Sequence, residues 1–105
     1  MELTSEQLRE KINSGEKFIV DMFAEWCGPC RVLGPIVEKV SQKLKEEGHE
    51  VNIYTFDIES DKQLAVDLGV RSIPTIKAFK NGEVFETRVG ILQESQLIEM
   101  ANTIL

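Results

Sequence analysis

Apolar residues recur along the chain at two spacings, and each spacing predicts a different element. Thr4-Ser5-Glu6-Gln7 has the form of a capping box, with Thr4 as N-cap and Gln7 reaching back to its amide. Leu8 and Ile12 then share one helical face, and Asn13-Ser14-Gly15 ends the helix. From Phe18 to Ala24 the pattern is that of a strand. Phe18, Val20 and Met22 face one way; Ile19, Asp21 and Phe23 face the other. Apolar side chains on both sides predict a central strand covered by helices on both faces. Asp21 alone interrupts that strand's apolar character.

Helical spacing returns from about Cys27 to Glu47, in Leu33, Ile36, Val37, Val40 and Leu44, with Gly48 as the stop. Pro35 lies inside this stretch and predicts a kink. Val51 to Ile58, rich in β-branched and aromatic residues, predicts a second strand. Leu64, Ala65 and Leu68 form a short amphipathic helix ended by Gly69. Thr75 to Phe79 and Glu83 to Val89 flank Asn81-Gly82, a strong hairpin signal. Leu97, Ile98, Ala101, Ile104 and Leu105 make a last amphipathic helix. This order predicts an α/β chain. A crossover helix joins parallel strands and the hairpin adds an antiparallel pair, giving one mixed sheet with helices on both faces.

Composition narrows the function more than the fold. A chain of 105 residues suits one domain spanning 1–105, and 42 % apolar with 29 % charged residues is a globular profile. No apolar run approaches the roughly 18 residues of a membrane span. The first residues, Met1 to Glu6, are polar and acidic and do not read as a signal peptide. The net charge of −6, with no Lys/Arg cluster, opposes a nucleic-acid partner. Two cysteines are too few for a disulfide scaffold.

Their spacing carries the candidate chemistry. Cys27-Gly28-Pro29-Cys30 follows a predicted strand and opens a predicted helix. A helix N-terminus offers partial positive charge and unpaired N–H groups, and both stabilise a thiolate. Two intervening residues let the second sulfur swing onto the first. Pro29 needs no N–H in the first turn, and Gly28 admits close approach of another backbone. A zinc site is disfavoured, since zinc usually takes four ligands and the chain offers the two cysteines and one distant His49. A purely structural disulfide is disfavoured because so short a loop removes little chain entropy.

The contiguous Trp26-Cys27-Gly28-Pro29-Cys30 resembles the active-site signature of the thioredoxin family. Asp21 in the preceding strand, Pro35, Ile73-Pro74-Thr75 before the hairpin, Phe79-Lys80-Asn81-Gly82 and Gly90 follow that family's pattern in order and spacing. The resemblance covers nearly the whole chain. It implies the thioredoxin fold, a central mixed sheet of four to five strands with helices on both faces. It implies a thiol–disulfide oxidoreductase that reduces protein disulfides without a bound cofactor. Cys27 would attack, Cys30 would resolve the mixed disulfide, and Asp21 would take the Cys30 proton. Trp26, Gly28, Pro29, Ile73, Pro74 and Gly90 would shape the docking surface, with a cis bond before Pro74. Disulfide-containing proteins and a thioredoxin reductase are the implied partners. A monomer in the cytoplasm is expected.

Three positions depart from the family pattern. Thr55 stands where members often carry a lysine near the buried aspartate. Without that cation Asp21 should hold its proton more tightly and slow the resolving step near neutral pH. Phe23 stands where many members carry a second tryptophan, which removes an indole donor. Only Met1 to Leu3 are available for the strand that usually precedes the first helix, so that strand should be a stub or absent.

Overall fold

The capping box at Thr4 closes in both directions: the Thr4 N–H donates to Gln7 Oε1 (2.9 Å) and the Gln7 N–H to Thr4 Oγ1 (3.1 Å). It starts helix α1, Ser5–Ser14, which ends at Gly15 with φ 77°. The computed structural model describes all residues 1–105. The remaining elements are β1 (Phe18–Phe23), α2 (Gly28–Glu46), β2 (Asn52–Asp57), a single 3-10 turn (Ile58–Ser60), α3 (Lys62–Asp67), β3 (Thr75–Lys80), β4 (Glu83–Val89) and α4 (Glu94–Thr103). Their order is the one predicted, apart from the added turn.

The sheet runs β2-β1-β3-β4, with β1 parallel to β2 and both other pairings antiparallel. The predicted two-sided strand is therefore central. On one face Ile19 of β1 joins Leu33, Val37, Val40 and Leu44 of α2 and Leu97, Met100 and Ala101 of α4. On the other, Phe18, Val20 and Met22 meet Leu8 of α1 and Leu64 of α3. The Phe18 ring stacks on Phe79 at a centroid distance of 4.9 Å.

Met1–Leu3 form the stub. Glu2 makes one parallel bridge to Thr55, with the Leu3 N–H donating to the Thr55 carbonyl at 2.8 Å. Helix α2 is continuous through Pro35, although Pro35 has no N–H to offer the carbonyl one turn back. The last helix stops at Thr103, short of the apolar pattern, and Leu105 is exposed. Lys77, on β3, is buried; its Nζ donates to Thr87 Oγ1 at 3.0 Å.

The hairpin turn has φ 56° at Asn81 and 78° at Gly82, the left-handed pair a two-residue turn needs. It docks on the end of α1, where the Asn81 N–H donates to the Gly15 carbonyl at 3.3 Å. A Cβ on Gly82 would sit 3.4 Å from the Ile12 carbonyl oxygen, whereas one on Gly34, inside α2, would meet nothing within 4 Å. Gly82→Ala is therefore expected to destabilise the protein by about 1–2 kcal/mol. Gly34→Ala is expected to stabilise it by up to about 1 kcal/mol. Urea unfolding of both variants checks the opposite signs.

Candidate active site

Strand β1 ends at Phe23, and Ala24-Glu25-Trp26 lead to Cys27, which is the N-cap of α2. Its Sγ accepts the Cys30 N–H at 3.3 Å. A thiolate at Cys27 thus meets both an unpaired helix N–H and the positive end of the helix dipole. The two cysteines are joined as a disulfide with Cα atoms 5.3 Å apart. Both residues are 5 % exposed, while Trp26, Gly28 and Pro29 around them are exposed. The first turn of the helix therefore presents the pair at the surface through its neighbours.

The loop before β3 closes over Cys27. The Ile73–Pro74 bond is cis, and the Ile73 carbonyl oxygen lies 3.7 Å from Cys27 Sγ. The Pro74 carbonyl accepts the Gly90 N–H at 2.9 Å. Gly90 has φ 97°, a conformation that requires glycine, so its backbone shapes a turn at the end of β4. Thus Trp26, Gly28, Pro29, Ile73, Pro74 and Gly90 are drawn to one end of the sheet.

Asp21 lies deeper. It is 2 % exposed, and its Oδ1 has no hydrogen-bond partner in the protein. Burial without a compensating charge pushes its pKa up to about 7 from 3.8. Asp21 pairs in register with Thr55. Asp21, Cys30, Arg31, Gly34 and Thr55 all line one cavity of about 440 Å³. The carboxyl, the second cysteine and the position that departs from the family pattern therefore share one space.

Two features had no signal in the sequence. The Trp26 indole N–H donates to Glu59 Oε1 at 2.9 Å, and this bond and Lys62 at 3.3 Å hold the Glu59 carboxyl below its ordinary pKa. Glu59 sits on the 3-10 turn, whose start is capped by Asp57 Oδ1 accepting the Glu59 N–H at 2.9 Å. The acidic run after β2 could have suggested a capped turn, but nothing in it pointed at Trp26. The Arg31 Nε donates to the Glu25 carbonyl at 3.0 Å, which ties the helix start to the connection before it.

Known proteins resemble both the sequence and this geometry. The thioredoxin family model matches residues 1–103. The chain belongs to the thioredoxin family. A thioredoxin of Rickettsia felis is 38 % identical over 94 residues, covering 90 % of this chain and 87 % of that protein. A thioredoxin of Buchnera aphidicola is 39 % identical over 100 residues, covering 94 % and 90 %. The crystal structure of a Malassezia sympodialis thioredoxin superposes with a TM-score of 0.83 at 31 % identity, covering 98 % of this chain and 90 % of that one. The Cys27–Cys30 pair is a redox-active centre, and the protein is a thiol–disulfide oxidoreductase that reduces protein disulfides. Members of the family act on disulfide substrates and are reduced by thioredoxin reductase. No helix here is long and apolar enough to cross a membrane.

Asp21 generates two expectations. Its folded pKa is raised, so its contribution to stability is greatest below the ordinary carboxylate range and is lost as pH rises through about 7. Asp21→Asn should therefore be more stable than the wild type at pH 8, by roughly 2–4 kcal/mol. The gap should close toward pH 4; denaturant titrations at the two pH values check it. A lysine in the shared cavity should favour the carboxylate. In Thr55→Lys the Asp21 titration, followed by NMR of the side-chain carboxyl, should move to lower pH; an unchanged midpoint would overturn this account.

Proposed function

We propose that Cys27 is the attacking thiolate, Cys30 the resolving thiol and Asp21 the acceptor of the Cys30 proton. The observation that carries this reading is the division of the site. Cys27 lies at the helix cap beside the Ile73 carbonyl, while Cys30 shares its cavity with the unpartnered Asp21. In the reduced protein the Cys27 thiolate attacks one sulfur of a substrate disulfide. A mixed disulfide forms and the first substrate sulfur leaves as a thiolate, to be protonated from solvent. Cys30 then gives its proton to the Asp21 carboxylate and attacks Cys27 Sγ. The bond from Cys27 to the substrate breaks, the second substrate thiolate leaves, and Cys27–Cys30 holds the oxidised pair. Two electrons have passed to the substrate.

Trp26, Gly28, Pro29, Ile73, Pro74 and Gly90 form the docking surface in this reading. The Ile73 backbone beside Cys27 suits pairing with an extended substrate segment, which selects for exposed backbone more than for side chains. Residues 1–105 act as one domain, monomeric at working concentrations and cytoplasmic, where a thioredoxin reductase returns the electrons. Gly28-Pro29 between the cysteines supports the reducing direction, because it lacks a histidine that would further stabilise the Cys27 thiolate.

Reduction of a protein disulfide, followed from pH 5 to pH 9, tests the assignment. Cys30→Ser should form a mixed disulfide through Cys27 that persists on a gel run without reductant, and Cys27→Ser should form none. In the wild type the rate of resolution should rise with pH through about 7, the Asp21 midpoint. Asp21→Asn should resolve roughly tenfold or more slowly and lose that inflection. A profile unchanged in Asp21→Asn removes Asp21 from the mechanism.

A further inference from the structure

The two edges of the sheet are not alike. At one edge β2 is covered by the Glu2 bridge to Thr55; at the other, β4 has no neighbour. Val84, Phe85 and Val89 on that strand are 46 %, 51 % and 61 % exposed. An open edge strand is a template for another strand.

The register says which backbone groups are free. The Gly90 N–H donates to the Pro74 carbonyl, and the β3–β4 pairing places Ile76 opposite Arg88 and Ala78 opposite Glu86. Hydrogen-bonded and non-hydrogen-bonded pairs alternate in an antiparallel ladder, so Glu86 and Arg88 direct their backbone groups inward to β3. Thr87 and Val89 direct theirs outward. A second strand pairing here must therefore use Thr87 and Val89.

Charge then selects the strand. Glu86 and Arg88 already form an ion pair at 2.6 Å on one face of β4. A two-fold axis through Thr87 sets Glu86 opposite Arg88 of a second copy, and Arg88 opposite Glu86 of that copy. Four charges then alternate in sign around a square. The same axis lets the two Thr87 backbones exchange hydrogen bonds and brings each Val89 toward the second copy's bulge at Phe85, the residue of β4 that has no partner on β3. An axis through Glu86 or Arg88 would put like charges face to face. One through Phe85 or Val89 would leave both charges opposite uncharged residues.

We infer that β4 pairs antiparallel with β4 of a second copy of this chain, about an axis at Thr87, to form a reversible dimer with a continuous sheet. A contact along one edge strand buries less than the roughly 1,200–2,000 Å² of a stable complex, so the dimer is weak and the monomer predominates when dilute. Val89, at the end of this interface, directly precedes Gly90, so the second copy lies beside Gly90. Given the docking role proposed above for Gly90, the dimer shades that rim, and the monomer is the form that engages substrates.

Sedimentation velocity of the oxidised chain, in which both cysteines are already bonded, tests the interface apart from the redox reading. The wild type should shift toward dimer between roughly 10 μM and 1 mM. Arg88→Glu makes the square all acidic and Glu86→Arg makes it all basic; each should weaken association by roughly tenfold. An equimolar mixture of the two variants should associate at least as well as the wild type, because the charges are again complementary across the axis. The double variant Glu86→Arg/Arg88→Glu should also pair. Variants merely damaged in folding would not recover on mixing. A wild type monomeric throughout this range, or a mixture no tighter than its components, overturns the proposal.

Discussion

Enclosure of β1 on both faces and both edges is the constraint from which the site follows. Phe18, Val20 and Met22 anchor the strand in one helix layer and Ile19 in the other, with β2 and β3 paired along its sides. With that many contacts, the strand cannot slip by one residue without turning its apolar side chains to the wrong layer. Its register therefore holds Asp21 inside the protein against the desolvation cost. The same register delivers the chain at Phe23 to the start of α2, so the cysteines appear at a helix N-terminus and at the end of a rigid strand.

Two opposite electrostatic environments result within a few residues. Cys27 sits where a helix end supplies N–H groups and favours a negative charge. Asp21 sits where nothing supplies a partner and a negative charge is disfavoured. One group is thereby pushed toward ionisation and the other toward holding a proton. The roles proposed above for Cys27 and Asp21 rest on this separation of acidities. The carboxyl is maintained at a cost to stability, which the surrounding core offsets.

The outer elements hold the periphery of the site in place. The 3-10 turn after β2 carries Glu59 to the Trp26 indole, and the Gly90 N–H ties the end of β4 to the loop that carries Ile73 and Pro74. That second link joins the end of the open edge strand to the loop beside Cys27. Across the molecule, the hairpin turn rests on the end of α1 through Asn81 and Gly15. It closes the far end of the sheet independently of the site.

Local signals in the sequence determined the element order, both ends of α1, the hairpin turn, the two-sided character of β1 and the position of Cys27-Gly28-Pro29-Cys30 between a strand and a helix. Each depends on residues close together in the chain: a cap and its partner three residues on, an alternating run, an Asn-Gly pair. The family pattern added Asp21 and the Ile73-Pro74 loop as members of one site. The tertiary structure alone decided that Glu59 holds Trp26, and it gave the neighbourhood of Asp21, Cys30 and Thr55 that the family pattern implied its physical form, one cavity. It also decided that the Asp21 carboxyl lacks any partner and that β4 is the open edge. These depend on distances between segments far apart in the chain and on what is absent from a packed interior. No periodicity or spacing in a sequence encodes such distances, because they arise only when the helices close over both faces of the sheet.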